Sequence, residues 1–419
     1  MDTNLYLYNT LTRKREAFRP RNGGNTVRMF TCGPSIYDFP HVGNFRTFLF
    51  EDVLERYLEY LGYRVDRVIN FTDVEDKAIA RAARTGKPFS EMTRVVEDHF
   101  FQDCRLLDIR LPETIPRSST SVDQAVFLVE ALLEKGYAYR HGIDIFYDPL
   151  KYKGFGKLYG LDMSRWPKKK MRFRKDTYPG KRWNLGDFIL WKGRRKKDGN
   201  VYWKTSLGEG RPAWNIQDPA MVTKHLGYTV DIWCGGIDNL YRHHDYNIAV
   251  VEAVSGETLS NWWLHCEHVL AGDKKMSKST GNILYVKDLL ESGFSPHHLR
   301  FLLIAGHFRE QVKITPEKMY EARGRIDTLR ELISRLRAAT PDNHKGALSS
   351  DGPAGRMKRA FENKMNDNLD VRGALHAVSD EITAITKPKT LRSMNPGEKA
   401  SSLAVLRQID GVIRILDLT

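Results

Sequence analysis

The sequence predicts an α/β protein in which a parallel-sheet domain is split by a β-containing insertion and followed by an all-α helical bundle. Three observations carry this. Residues 26–71 read as strand, helix and strand in succession. Residues 137–209 lose helical periodicity in favour of short alternating runs. From residue 296 onward apolar residues recur at helical spacing.

The first unit opens with TVRMFT (26–31), a strand by its β-branched and apolar content, and a polar turn containing Pro40-His41-Val42-Gly43-Asn44. Phe50, Val53, Leu54, Tyr57, Leu58 and Leu61 then form an apolar stripe of helical period, and Gly62 stands where a left-handed cap ends the helix. A second strand follows over 63–71, so the unit is βαβ, with a parallel sheet and a right-handed crossover. Such sheets bind ligands at the carboxyl ends of their strands, beside helix N-termini, which is where His41 and Asn44 fall. The same residues serve equally well as a plain helix-starting turn, and from this stretch alone the two readings stand even. Residues 72–111 are helical and amphipathic, with the cluster Asp73, Glu75, Asp76, Lys77 either beneath a site or at a solvated helix start. A helix over 121–135 stops at Gly136.

The alternating runs GIDIFYD, GDFILWK and GNVYWK mark the insertion. Its centre is basic: Lys168, Lys169, Lys170, Arg172, Arg174, Lys175, Lys181, Arg182, Lys192, Arg194, Arg195, Lys196 and Lys197 face only Asp176 and Asp187 in the same stretch. Trp166, Phe173, Tyr178, Trp183 and Trp191 are interleaved. Cations that neutralise phosphates and faces that stack on unpaired bases suit a single-stranded nucleic-acid end. The alternative is a solvated loop with its aromatics turned inward. The expected divisions are 1–120 and 210–290 for the two halves of the catalytic domain, 121–209 for the insertion, 291–325 for a linker and 326–419 for the bundle. In the bundle Ile326, Leu329, Leu332, Ile333 and Leu336 share one helix face.

A net charge of +14 favours a polyanionic partner, nucleic acid first. There is no long unbroken apolar run and no secretory leader in the first residues, so a cytoplasmic protein with no membrane partner is expected. The scattered cysteines Cys32, Cys104, Cys234 and Cys266 lack CxxC spacing and read as reduced thiols.

The decisive motif is Lys275-Met276-Ser277-Lys278-Ser279. Together with His41-Val42-Gly43-Asn44 it resembles the HIGH and KMSKS motifs by which class I aminoacyl-tRNA synthetases grip ATP. The stretches TCGPSIYD (31–38), TDVEDK (72–77), DFILWK (187–192), GGID (235–238) and KMSKSTGN (275–282) are similar to the cysteinyl-tRNA synthetases, in the same order along most of the chain. The resemblance implies a Rossmann-like catalytic domain, ATP with Mg²⁺, and formation of an aminoacyl-adenylate. It implies catalytic roles for His41, Asn44, Lys275 and Lys278. Gly43, Gly235, Gly236, Asp238, Ser277 and Ser279 would contact the nucleotide, with Asp238 near the ribose. The side-chain pocket would comprise Cys32, Thr72, Trp214, Asp218, Trp233, His243 and Asn247.

The same resemblance exposes departures. The family holds zinc on two Cys, a His and a Glu, and those positions here are Cys32, Asp218, His243 and Asn247. Asn215 replaces a His, and Trp233-Cys234 replaces His-Gly. An amide is a poor zinc ligand, so the degenerate set Cys32, Asp218 and His243 is not expected to hold zinc tightly, the alternative being a three-ligand metal site with an open fourth position. Without the metal a pocket distinguishes a thiol poorly, and the expected substrate is not cysteine, or cysteine bound by another route. Asp218 is placed to meet a cationic or hydroxyl side chain. A monomer is expected, without the family's small C-terminal anticodon-recognition domain. The acceptor is tRNA through the basic insertion, with two alternatives: a ligase joining the amino acid to a small amine, and a non-catalytic RNA-binding paralogue.

Overall fold

The computed structural model describes residues 5–165, 186–276, 280–341 and 349–418. A hairpin of β1 (Tyr6–Asn9) and β2 (Lys14–Ala17) precedes the predicted unit: β3 (Thr26–Thr31), α1 (Val42–Tyr60) and β4 (Arg64–Ile69). β3 and β4 are parallel, in register from Thr26 opposite Arg64 to Thr31 opposite Ile69. Gly62, at φ 92°, takes the left-handed conformation that lets the chain leave α1 and turn at once into β4.

Helices α2 (Asp76–Thr85), α3 (Phe89–Leu106) and α4 (Val122–Glu134) lead to the insertion. The insertion is an antiparallel sheet of β5 (Ala138–His141), β6 (Asp144–Tyr147), β7 (Phe188–Gly193), β8 (Trp203–Thr205) and β9 (Gly208–Pro212), in the order β5-β6-β7-β9-β8. The chain returns through α5 (Trp214–His225) to β10 (Val230–Gly236). The short α6 (Ile237–Asn239), a π-helical turn (Leu240–His244) and α7 (Asp245–Ser255) connect to β11 (Ser260–Cys266). The order β11-β10-β3-β4 is parallel throughout and rejoins the two sides of the insertion in one sheet.

Beyond it lie β12 (Val269–Ala271), β13 (Lys274–Lys275), α8 (Val286–Glu291), α9 (Pro296–Ile304) and β14 (Val312–Ile314). The helical region comprises α10 (Pro316–Ala338), α11 (Pro353–Met365), α12 (Val371–Ile385), α13 (Pro388–Ser393) and α14 (Pro396–Ile413). Of the predicted stripe on α10, Ile326, Leu329, Ile333 and Leu336 are buried and Leu332 is half-buried. One apolar core runs from under α1 into these helices, joining Leu54 and Tyr57 to Phe361, Leu406 and Ile409. No helix among the described residues is long and apolar enough to cross a membrane.

A buried ion pair fastens the helices to the sheet. Arg300 on α9 reaches Asp52 on α1 at 2.6 Å and donates to the carbonyls of Leu107 (2.9 Å), Asp108 (3.0 Å) and Ile413 (2.8 Å). Arg56 adds a second contact to Asp52 at 3.0 Å. Burial opposes ionisation of Asp52, but the two guanidinium groups outweigh it and hold the carboxyl below its usual range. The stabilisation is therefore complete above the unfolded carboxylate pKa and is lost as pH falls through the lower folded value. Asp52→Asn leaves Arg300 buried without its counter-charge and is expected to lower unfolding free energy by about 3–5 kcal/mol near pH 7. Urea titrations at pH 7 and in acid check this, the deficit shrinking in acid.

Candidate active site

A cavity of about 250 Å³ opens beyond the carboxyl ends of β3, β10 and β11. His41, Asn44, Asp238, Lys275 and the edge of Cys32 line it, so the two motifs that stand far apart in the chain face one another. His41 caps α1: its Nδ1 accepts the Gly43 N–H at 3.1 Å, while its own N–H donates to Asn44 Oδ1 at 2.9 Å. The residues that start the helix therefore also face the cavity. Burial lowers the His41 pKa, with Lys275 adding to the effect and Asp238 opposing it. A neutral ring whose Nδ1 accepts must carry its proton on Nε2, which makes it a donor. A Cβ on Gly43 would lie 2.9 Å from His41 Cε1 and 3.1 Å from Met276 Cε, so only glycine fits between the motifs.

Lys275 lies on β13 with its Nζ 3.1 Å from His268 Nε2 and 3.9 Å from Asp238 Oδ2. His268 also lines the cavity, and sequence reasoning missed it. Its only signal is position, just before the β12–β13 hairpin that folds Lys275 back alongside. Burial, with Lys275 beside it, lowers the His268 pKa. Ser277, Lys278 and Ser279 lie outside the described residues. Gly236 lines the cavity, whereas Gly235 makes room for an imidazole: a Cβ there would sit 2.9 Å from His244 Cε1.

Behind Cys32 the predicted pocket residues gather around one carboxylate. Asp218 on α5 accepts from His243 Nε2 at 2.7 Å on Oδ2 and from Asn70 Nδ2 at 3.0 Å on Oδ1. The Cys32 thiol donates to Oδ2 at 3.6 Å. Both oxygens of Asp218 are thus engaged by the protein's own groups. Ligand atoms of Cys32, Asp218 and His243 all lie within 4.8 Å of one another. The Cys32 sulfur also meets His244 Nε2 at 3.2 Å; His244 Nδ1 meets His265 Nε2 at 2.8 Å, and His265 Nδ1 meets Thr10 Oγ1 at 2.8 Å. Because the thiol donates to Asp218, the chain runs inward: Thr10 O–H to His265, His265 N–H to His244, and His244 N–H to sulfur. Burial lowers both imidazole pKa values, His265 to about 3, and raises that of the Cys32 thiol, Asp218 adding to the rise.

The π-helical turn, with Arg242 at φ 72°, presents His243 and His244 in succession. Trp214 stacks flat on His243 at 3.8 Å between centroids. Trp233 packs against Trp263 and Phe30 and stands edge-on to His244, and it does not line the cavity. Thr72 is buried and takes Asn70 Nδ2 at 3.3 Å on its hydroxyl. Asn247 is wholly buried, and neither its Oδ1 nor its Nδ2 has a hydrogen-bond partner among the described residues. The same is true of His243 Nδ1. Asn70, His244, His265 and Thr10 were not predicted as pocket residues, although Asn70 lies in the predicted strand over 63–71 and His244 directly follows the predicted His243.

The insertion needs correction where it is described. Trp191 is buried rather than available for stacking. Lys192 is paired with Asp76, Arg194 with Glu209 and Arg195 with Asp144, so three predicted phosphate contacts are neutralised by acids from outside the basic stretch. Lys196 and Lys197 are exposed. Residues 166–185, holding Trp166, Lys168, Lys169, Lys170, Arg172, Phe173, Arg174, Lys175, Tyr178, Lys181, Arg182 and Trp183, lie outside the described residues.

Residues 19–324 match the family described as tRNA synthetases class I (C) catalytic domain. The cysteine–tRNA ligase of Chlamydia pneumoniae is 36% identical over 420 aligned residues, covering 99% of this chain and 87% of that protein. That of Brachyspira hyodysenteriae is 37% identical over 334 residues, covering 80% and 70%. Among solved structures, the fold is shared with Mycobacterium tuberculosis methionyl-tRNA synthetase in complex with methionyl-adenylate. There the TM-score is 0.68 at 15% identity, covering 93% of this chain and 92% of that one. It is shared too with the Agrobacterium radiobacter K84 LeuRS–tRNA–LeuAMS complex, at a TM-score of 0.66 and 10% identity, covering 95% and 85%.

Removing the bridging carboxylate tests the cluster directly. Asp218→Ala strands His243, Asn70 and the Cys32 thiol in a buried site and is expected to cost about 3–5 kcal/mol of stability, with Asp218→Asn recovering part of it. Denaturant unfolding of the three proteins measures the difference.

Proposed function

The chain belongs to the cysteine–tRNA ligase family of class I aminoacyl-tRNA synthetases, and on that premise we propose that it activates an amino acid other than cysteine, without zinc, and transfers it to tRNA. The observation that carries the reading is the meeting of His41 and Lys275 across one cavity beside the Asp218 cluster.

The amino-acid carboxylate attacks the α-phosphorus of ATP in line; a new P–O bond forms, the bond to the β-phosphate oxygen breaks, and pyrophosphate leaves. The protein contributes position and charge rather than covalent chemistry. His41 Nε2–H donates to a phosphate oxygen, its Nδ1 being held by the Gly43 N–H. Asn44, its Oδ1 engaged by the His41 N–H, offers its amide protons to the same phosphates. Lys275, with Lys278, balances the charge gathering on pyrophosphate. His268 holds the Lys275 ammonium over the cavity through Nε2. Mg²⁺ accompanies ATP. The exposed Lys196 and Lys197, with the basic residues 168–182, would meet the tRNA end.

The donor chemistry does not fit a closed zinc centre. Asp218 Oδ2 and His243 Nε2 satisfy one another in a direct hydrogen bond at 2.7 Å. The thiol is a donor to Asp218 rather than a thiolate, and an amide replaces the fourth ligand. Purified protein is expected to carry well under one zinc per chain by elemental analysis; a stoichiometric content contradicts this reading.

ATP–pyrophosphate exchange dependent on an amino acid tests the activity, and charging of bulk tRNA tests the acceptor. His268→Ala is expected to reduce exchange about tenfold, and His268→Gln to restore part of it, because the glutamine oxygen can accept from Lys275. The wild-type rate is expected to fall in acid as His268 protonates and repels Lys275. His268→Gln should lose the share of that dependence that His268 contributes and keep the share from His41.

A further inference from the structure

We propose that Asp76 is a positioning residue for the nucleotide cavity: gripped by Lys192 and Arg211 of the insertion, it seats α2 so that Lys77 and Arg81 hold Tyr37 on the cavity wall. The proposal rests on the reading of that cavity as a nucleotide site and adds to it a residue and a route from the insertion.

Gly33, Pro34, Ser35 and Tyr37 form one wall of the cavity. The first part of this wall is fixed by the chain beyond β4. The Gly33 N–H donates to Asn70 Oδ1 at 2.9 Å, the Thr72 N–H to the Pro34 carbonyl at 3.2 Å, and the Ile36 N–H to the Thr72 carbonyl at 3.1 Å. Tyr37 lies past these pairings and is held from α2 instead. Arg81 donates to the Tyr37 carbonyl at 2.8 Å. The Lys77 ammonium is 3.3 Å from the Tyr37 hydroxyl and 4.6 Å from the centre of its ring. Lys77 and Arg81 are four residues apart, neighbours on one helix face, so the place of the ring follows the place of that face.

What sets the place of α2 is polar. The helix has ten residues, of which Ala78, Ile79 and Ala82 are buried, and its Glu75 N-cap makes no side-chain cap bond. So short a helix with so little apolar cover depends on its contacts for position. It packs on α3 and on the turn Lys196–Asp198 of the insertion. Its first residue is where the insertion takes hold: Asp76 meets Lys192 on β7 at 2.8 Å and Arg211 on β9. Arg211 is buried and is itself held by buried Asp198 at 3.2 Å, whose other oxygen accepts the Arg195 N–H at 2.7 Å. Burial opposes ionisation of Asp76, but Lys192 and Arg211 outweigh it and keep the carboxyl below its usual range. A carboxylate that served only as a solvated helix start would need neither cation. The turn that exposes Lys196 and Lys197 is thereby joined, through Asp198, Arg211 and Asp76, to a wall of the cavity.

The test is calorimetric binding of α,β-methylene ATP with Mg²⁺ to the full chain, a readout that needs no amino acid. Asp76→Asn is expected to weaken binding about tenfold, and Asp76→Glu, which keeps the charge, to recover part of the loss. Tyr37→Ala should weaken binding comparably. Asp76→Asn added to Tyr37→Ala should then cost nothing more, because Asp76 acts through that ring; a merely structural role would give losses that multiply. Lys77→Met, at an exposed position that leaves the insertion contacts in place, should weaken binding about threefold. Wild-type affinity in Asp76→Asn or in Lys77→Met, or losses that multiply in the double variant, overturn the proposal and leave the nucleotide reading standing. A wild-type chain that binds no nucleotide overturns the nucleotide reading, and the proposal with it.

Discussion

The parallel pairing of β3 with β10 is the constraint from which the site follows. Met29, Phe30 and Thr31 lie opposite Ile232, Trp233 and Cys234, and the Cys32 N–H continues the ladder to the Cys234 carbonyl at 3.2 Å. About two hundred residues, including the whole five-stranded insertion, are looped out between two adjacent strands. Parallel neighbours end at the same edge, so each chain segment leaving that edge delivers its first polar residues to one place. His41 begins the helix after β3, Asp238 and the His-His pair follow β10, and His268 follows β11. Asn70 and Thr72 complete the edge beyond β4.

At that edge the chemistry divides into two compartments with different rules. The side proposed for the nucleotide is open to solvent, and its key groups serve structure as well: His41 and Asn44 cap α1 with the atoms nearest the backbone and keep others for the cavity. The side-chain side is closed, and a carboxylate there joins a thiol, an imidazole and an amide. A hydrogen-bonded cluster of this kind is rigid. Among the buried atoms of the described residues left without a partner are both amide atoms of Asn247 and His243 Nδ1.

How much of this was readable in the sequence follows from which interactions are local. β3 has the bounds that its residues predict, and α1 follows with its apolar stripe turned inward, because strand content and helical period are properties of neighbours. The lysine motif and the altered ligand positions were visible as words in the chain. His268 and the His244–His265–Thr10 chain were not, since their partners come from other strands and no spacing encodes them. The insertion misled for the same reason. Its cations looked unopposed within their own stretch, yet Asp76, from the acidic cluster after β4, takes both Lys192 and Arg211 and binds the insertion to the catalytic sheet. That cluster was readable as a solvated helix start. Its acids in fact work across the fold, Asp73 accepting the Ser119 N–H at 2.9 Å.

The most direct measurement of the central claim is calorimetric binding of non-hydrolysable aminoacyl-adenylate analogues that share the nucleotide and differ only in side chain, with and without a metal chelator. Such ligands occupy both compartments at once, so affinity differences between them report the recess alone. The account predicts that an analogue other than the cysteinyl one binds most tightly and that the chelator does not change the order. A cysteinyl analogue that binds most tightly, and loses its advantage when metal is withdrawn, would contradict it.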